Sequence, residues 1–254
     1  MKGMQAIKNG LRDALSSFLC LMPRPRNAAV ILAYHSISEN GSVFAVAPAQ
    51  FERQMEWLAR NNFNIVSLDQ LAAYRKAGAI PRKTLAITFD DGYRDNYSAA
   101  LLILRRFKMP ATVFIITSKI GGTWKLGADD VPLMSESELR ELYDSGLFTI
   151  GAHTATHPRL PQTDQAQVAR ELSESKHAIE SRFGPCIHFA YPHGRYTKEV
   201  RDLVAQAGFL YAYTVSRDVV SLESNDHLLG RCEIYSTTSE RQFKGIVRGW
   251  GAVL

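Results

Sequence analysis

A chain of 254 residues with 46% hydrophobic and 22% charged side chains can bury one sizeable core, and its even mix argues against a fibrous or low-complexity protein. The net charge of +5 comes with no basic patch interleaved with aromatics, so no nucleic-acid partner is expected. Cys20, Cys186 and Cys232 show no metal spacing and cannot all pair, which argues against a disulfide framework.

Residues 1–27 stand apart from the rest. Met4, Ile7, Leu11, Leu15, Phe18 and Met22 recur every three or four positions, with Lys2, Lys8, Asn9 and Arg12 largely opposite. This is the pattern of an amphipathic helix with a basic face, which can lie on a membrane surface. Packing on protein, a poor signal peptide and a disordered end are the competing readings. Pro23 and Pro25 then mark a break before a single domain over 28–254.

Within that domain, strands and helices alternate. Ala28–Tyr34 reads as a buried strand with His35 at its tip, and 48–61 as a helix lined by Phe51, Met55 and Leu58. A strand over 64–68 and a helix capped by Asp69 lead to Thr84–Gly92, TLAITFDDG. A helix over 96–108 and a strand over 111–117 precede a long connection, 121–135, that carries Trp124. A connection of that length suggests a functional loop, and Trp124 suits either a sugar contact or ordinary anchoring. The helix over 135–146 opens with SESE, a capping box. After Phe148–His157, FTIGAHTATH, come a long helix over 165–184, a strand over 187–192, a helix over 197–208 and a strand over 210–215. A last strand over 228–235 and a closing helix over 239–250 complete the pattern. Repeated alternation predicts a parallel sheet covered by helices, and about seven or eight strands in this length suggest a barrel.

Two stretches carry chemistry. TFDDG ends an apolar strand in adjacent carboxylates, whose side chains point to opposite faces if strand geometry persists to the tip. Asp-Asp-Gly is also an ordinary turn sequence. HTATH places His153 and His157 four residues apart, on one face if the chain turns helical there. Two imidazoles and a carboxylate make a three-ligand site with room for water, for which zinc is the first expectation. His35, Asp90, Asp91, His153 and the Tyr191-Pro192-His193 turn all fall at C-terminal strand ends, where a β/α barrel carries its active site.

TFDDG followed by HTATH resembles the NodB-homology polysaccharide deacetylases, carbohydrate esterase family 4, over most of the chain. The resemblance implies a distorted barrel of about seven parallel strands and a metal-dependent hydrolase that removes acetyl groups, mostly N-acetyl, from sugars. It implies Asp90 as base, with Asp91, His153 and His157 as ligands of a divalent metal, Zn2+ first and Co2+, Ni2+ or Mn2+ as alternatives. The third motif corresponds to AYPHG, residues 190–194, where the His193 N–H is the implied oxyanion donor and Tyr191 and Pro192 line the substrate. The arginine expected there is replaced by Ala190, which leaves Arg195 and Arg231 as candidates to orient the base. The Leu-x-x-His motif that supplies the acid is missing after residue 227. Its substitute is His35, because LAYHSIS and the Tyr-Pro-x-Gly turn resemble the branch that includes exopolysaccharide poly-N-acetylglucosamine deacetylases. Asp218 is the implied orienter of that histidine, without the tryptophan expected beside it.

The expected partner is an N-acetylated glycan or glycan precursor. Alternatives are an O-acetyl esterase or cyclic-amide hydrolase with the same site, or a glycan-binding protein with impaired catalysis. Cytoplasmic or peripheral inner-membrane placement is expected, against a periplasmic or extracellular one. The sequence sets no oligomeric state.

Overall fold

A computed structural model describes residues 26–251, so the segment predicted over 1–27 lies, but for its last two residues, outside them. In chain order the elements are β1 (Ala28–Tyr34), α1 (Pro48–Arg60), β2 (Asn64–Ile65), α2 (Leu68–Lys76), β3 (Thr84–Phe89), α3 (Leu101–Phe107), β4 (Ala111–Ile115), β5 (Thr123–Leu126) and β6 (Asp129–Pro132). Then follow α4 (Glu136–Asp144), β7 (Phe148–Ala152), α5 (Gln165–Phe183), β8 (His188–Ala190), α6 (Lys198–Gln206), β9 (Tyr211–Tyr213), β10 (Val220–Ser221), β11 (Cys232–Glu233) and α7 (Glu240–Gly245).

Seven strands, β11-β1-β3-β4-β7-β8-β9, pair in parallel and curl into a half-barrel, in agreement with the sequence pattern. β2 adds to β3, and β10 pairs with the start of β1 antiparallel. The curl closes through irregular chain. Ala212 N–H donates to the Asp226 carbonyl and Thr214 N–H to the Leu229 carbonyl, which holds the lead-in to β11 against β9. Only Cys232–Glu233 of the strand expected over 228–235 joins the ladder.

Alternation along the strands sorts side chains into two cores. Val30, Leu32 and Tyr34 face outward and pack with Phe51, Met55 and Leu58 of α1. Ala29, Ile31, Ala86, Phe114, Ala190 and Tyr213 face into the curl, where Leu68 and Leu71 of α2 plug the end away from the strand tips. His188 is buried there, and its Nε2 lies 3.0 Å from Asp69 Oδ1 while its Nδ1 lies 2.9 Å from the Tyr213 hydroxyl.

Several local expectations change. The strand over 64–68 stops at Ile65, because Ser67 rather than Asp69 caps α2 by accepting the Gln70 N–H. Ser135 and Glu138 do form the reciprocal capping box of α4. The 121–135 connection is an antiparallel hairpin, β5 against β6, and not an open loop. The closing helix is shorter than expected, since α7 passes into a π-helical turn at Ile246–Trp250 that bends at Gly249 (φ 97°). Among the described residues no helix is long and apolar enough to cross a membrane.

Gly151 lies two residues before the first histidine of HTATH. A β-carbon there would sit 2.5 Å from Phe114 Cδ1 and 2.6 Å from Cε1. Gly151→Ala is expected to lower stability by about 1–3 kcal/mol through overpacking. Thermal melting checks this; an unchanged midpoint would mean that the Phe114 ring can turn aside.

Candidate active site

The sequence of β3 delivers Asp90 to the rim of the curl, directly after Thr88 on the inward face. Arg231, directly before β11 and so two strands away, meets it there, with Nη1 2.6 Å from Oδ1 and Nη2 2.7 Å from Oδ2. The guanidinium is fully buried. It also donates to the Thr214 carbonyl at 3.2 Å and Thr88 Oγ1 at 3.2 Å, and its Cζ lies 5.3 Å from the Phe114 ring centre. Burial alone would raise the Asp90 carboxyl. Arg231, with help from His153 and His35, outweighs it and holds Asp90 well below the usual carboxylate range.

The second carboxylate is turned away from the first, but not by strand alternation. The strand ends at Phe89, and Asp91 adopts φ 69°, in the left-handed region. Its Oδ1 is buried without a hydrogen-bond partner. That oxygen lies 3.6 Å from His153 Nε2 and 3.5 Å from His157 Nε2, and the two Nε2 atoms are 3.2 Å apart. Ligand bonds of about 2.0–2.2 Å in tetrahedral geometry put donor atoms about 3.3–3.6 Å apart, so this set fits a divalent ion of zinc size. An orphaned buried carboxylate oxygen facing two imidazole nitrogens is otherwise a costly arrangement.

The imidazoles are oriented for ligation. His153 Nδ1 lies 2.8 Å from the Ala190 carbonyl. Donation there leaves the Nε2 lone pair facing the cluster. Burial, then His153 and His193, push the His157 imidazole down to about 2, so it stays neutral. No helix follows His153. Thr154 (φ 66°) and His157 (φ 64°) are left-handed, and the Thr154 hydroxyl accepts the His157 N–H at 2.9 Å. The shared face comes from this tight turn and not from helical spacing.

His35 stands at the tip of β1, half-buried, and bears electrostatically on both Asp90 and His157. Its Nδ1 is buried without a partner. Asp218 is exposed, makes no such bond and does not orient His35 as the motif implied. Two residues that sequence reasoning passed over hold this loop instead. Asn96 Nδ2 donates to the His35 carbonyl at 2.8 Å, and Asp95 accepts from Ser36 Oγ at 2.6 Å and Ile37 N–H at 2.8 Å.

In the 190–194 turn His193 is left-handed (φ 59°) and its exposed ring lies 4.6 Å from that of His157. Burial of part of the ring, with Arg159 next, lowers its pKa. Gly194 is required, since a β-carbon would meet Val215 Cγ2 at 2.3 Å. Tyr191 and Pro192 are buried, and the Tyr191 hydroxyl donates to the His227 carbonyl at 3.0 Å. Their side chains brace the turn and do not line a substrate surface. Arg195 is exposed, so of the two candidate arginines the structure brings only Arg231 to Asp90. Its one sequence signal is a charge inside the apolar run LLGRCEI. Trp124, on β5, sits 5.4 Å from the His157 ring at a steep angle.

The half-barrel carries the Arg231-held Asp90, an Asp-His-His cluster and a left-handed turn at its strand tips, and the chain belongs to the polysaccharide deacetylase family, a family of hydrolases whose model matches residues 77–212. It is similar to the poly-beta-1,6-N-acetyl-D-glucosamine N-deacetylase of Staphylococcus aureus, 26% identical over 248 residues, covering 88% of this chain and 83% of the relative. The Staphylococcus epidermidis protein of the same name is 22% identical over 249 residues, covering 89% and 84%. A polysaccharide deacetylase from Bacillus cereus matches with TM-score 0.75 and 26% identity, over 87% of this chain and 69% of that one. IcaB from Ammonifex degensii matches the fold with TM-score 0.78 at 21% identity, over 91% and 100%. The protein is thus a polysaccharide deacetylase, a hydrolase of acetylated sugars.

Removing Arg231 strands a buried carboxylate. Arg231→Met is expected to cost about 3–5 kcal/mol at neutral pH. The folded-state Asp90 value is depressed, so the pair's stabilisation is present above the unfolded value of about 3.9 and is lost as pH falls through the folded one. Urea melts of wild type and variant should therefore differ most near pH 7 and converge in acid; an equal gap at both would deny the ion pair its role.

Proposed function

We propose that this deacetylase is metal-dependent and removes N-acetyl groups from a poly-N-acetylglucosamine-type glycan. The observation that carries the reading is the placement of the Arg231-held Asp90 beside three convergent donors, Asp91, His153 and His157. The names of the staphylococcal relatives support the substrate class.

Asp91, His153 and His157 would hold the ion. When bound, a divalent metal supplies Lewis-acid polarisation of the acyl group and acidifies water. Asp90, kept ionised by Arg231, takes the proton as water adds to the acyl carbon. The His193 N–H, in the turn that follows β8, donates to the developing oxyanion, a contact worth about 3 kcal/mol. His35 gives a proton to the sugar nitrogen as the C–N bond breaks, releasing acetate and the free amine. Trp124, half-exposed beside His157, offers a stacking face to the sugar ring.

Acetate release from N- and O-acetylated saccharides by zinc- or cobalt-loaded protein tests this reading. Wild type should favour N-acetyl substrates and lose activity to a chelator. Asp90→Asn and His35→Asn should each lose about 10²–10⁴-fold with metal content near normal. Preference for O-acetyl groups would mean an esterase, and full activity of His35→Asn would remove that residue from the chemistry.

A further inference from the structure

Glu171 lies on α5, outside the constellation that acts on substrate, and its side chain is 2% exposed. No cation pairs with it among the described residues. A buried carboxylate without a counter-ion is expensive unless hydrogen bonds replace its water. Here the donors come mainly from one residue of the histidine turn. Thr156 N–H donates to Oε2 at 2.8 Å and the Thr156 hydroxyl to Oε1 at 2.6 Å. Gln167 Nε2 adds a third donor at 3.2 Å.

Thr156 stands between the two imidazoles and directly before His157. The turn it belongs to stores strain, since Thr154 and His157 both adopt left-handed backbone. Such non-glycine positions are unfavourable alone and persist only where the surroundings hold them. The other ties on the turn are backbone bonds to its first half, from Ser118 N–H to the Ala155 carbonyl and Thr117 N–H to the Thr154 carbonyl, and one bond within the turn, from His157 N–H to the Thr154 hydroxyl. The two-point grip on Thr156 is what ties the second half to a neighbouring element, α5.

We infer that Glu171 is a positioning residue for His157: it clamps Thr156 at two atoms and so sets the separation of the two imidazole nitrogens. The inference rests on the reading of Asp91, His153 and His157 as a metal site. Without the clamp the turn relaxes, His157 Nε2 moves off its 3.2 Å spacing from His153, and the site loses preorganisation rather than a ligand.

The test is zinc affinity of the full chain by chelator competition, with the cobalt absorption spectrum and the melting point of metal-free protein beside it. Glu171→Ala should weaken zinc binding by about 10–100-fold, the scale of outer-shell substitutions, and alter the cobalt bands. Glu171→Gln can accept only one of the two Thr156 donors, so its loss should be smaller. It also serves as the readout if the alanine variant fails to fold. Thr156→Val removes one donor, and combining it with Glu171→Ala should add little to the single change. A Glu171→Ala protein that melts earlier yet binds zinc like wild type would reduce Glu171 to a structural anchor and overturn the inference. Wild type that binds no zinc would instead sink the metal reading itself.

Discussion

The ion pair between Asp90 and Arg231 is the constraint around which the half-barrel closes. Asp90 follows β3 and Arg231 precedes β11, far apart in the chain but on either side of β1, so they meet only once β11 has returned to pair with β1. A guanidinium taken wholly out of water regains its hydration only through a complete set of acceptors. Thr88, Thr214 and both oxygens of Asp90 provide that set, and the Phe114 face adds a cation–π contact. The chain around Arg231 is shaped to let it in. Gly230 precedes it where a β-carbon would lie 2.7 Å from the Asp218 carbonyl oxygen, so the loop backbones touch with nothing between them. The irregular closure of the sheet and the buried pair are one feature seen from two sides.

Of the nine described non-glycine residues with positive φ, four stand at the candidate site. Asp91, Thr154, His157 and His193 all take left-handed backbone at or near strand tips. None is glycine, and each conformation is unfavourable alone. The anchors beneath them are polar and specific: Thr154 on His157, Glu171 on Thr156, Asp95 and Asn96 on the His35 loop. Rigid strands place these residues to within a few ångströms, and the hydrogen bonds fix the last part of their orientation. The apolar cores behind the sheet make that precision possible, because close-packed strands transmit little slack to their tips.

Much of this was legible in the residues. TFDDG and HTATH announce themselves because each ends an apolar run in groups that are costly to bury without a purpose. Capping signals placed α4 correctly because Ser135 and Glu138 act within three residues of each other. What stayed hidden was non-local. Arg231 pairs with a residue 141 positions away and directly precedes a strand of two residues that pattern alone overextends. The helical reading of HTATH failed because side-chain bonds from Thr154 and Glu171 hold a tighter turn than spacing suggests. Asp218 and Tyr191 were carried over by motif position, yet one faces solvent and the other braces a turn.

The substitution at position 190 shows how such a site tolerates rearrangement. Two tasks converge there. One belongs to the backbone: the Ala190 carbonyl sets the tautomer of His153, and any side chain leaves that carbonyl in place. The other is a positive charge for Asp90, which depends on a guanidinium reaching the carboxylate and not on the wall it comes from. Ala190 packs in the inward cluster that includes Phe114, and Arg231 lies over the Phe114 ring. The alanine thus serves His153 through its backbone, and the charge that Asp90 needs comes from Arg231. The carboxylate is gripped bidentately, so its orientation is specified as firmly as its charge.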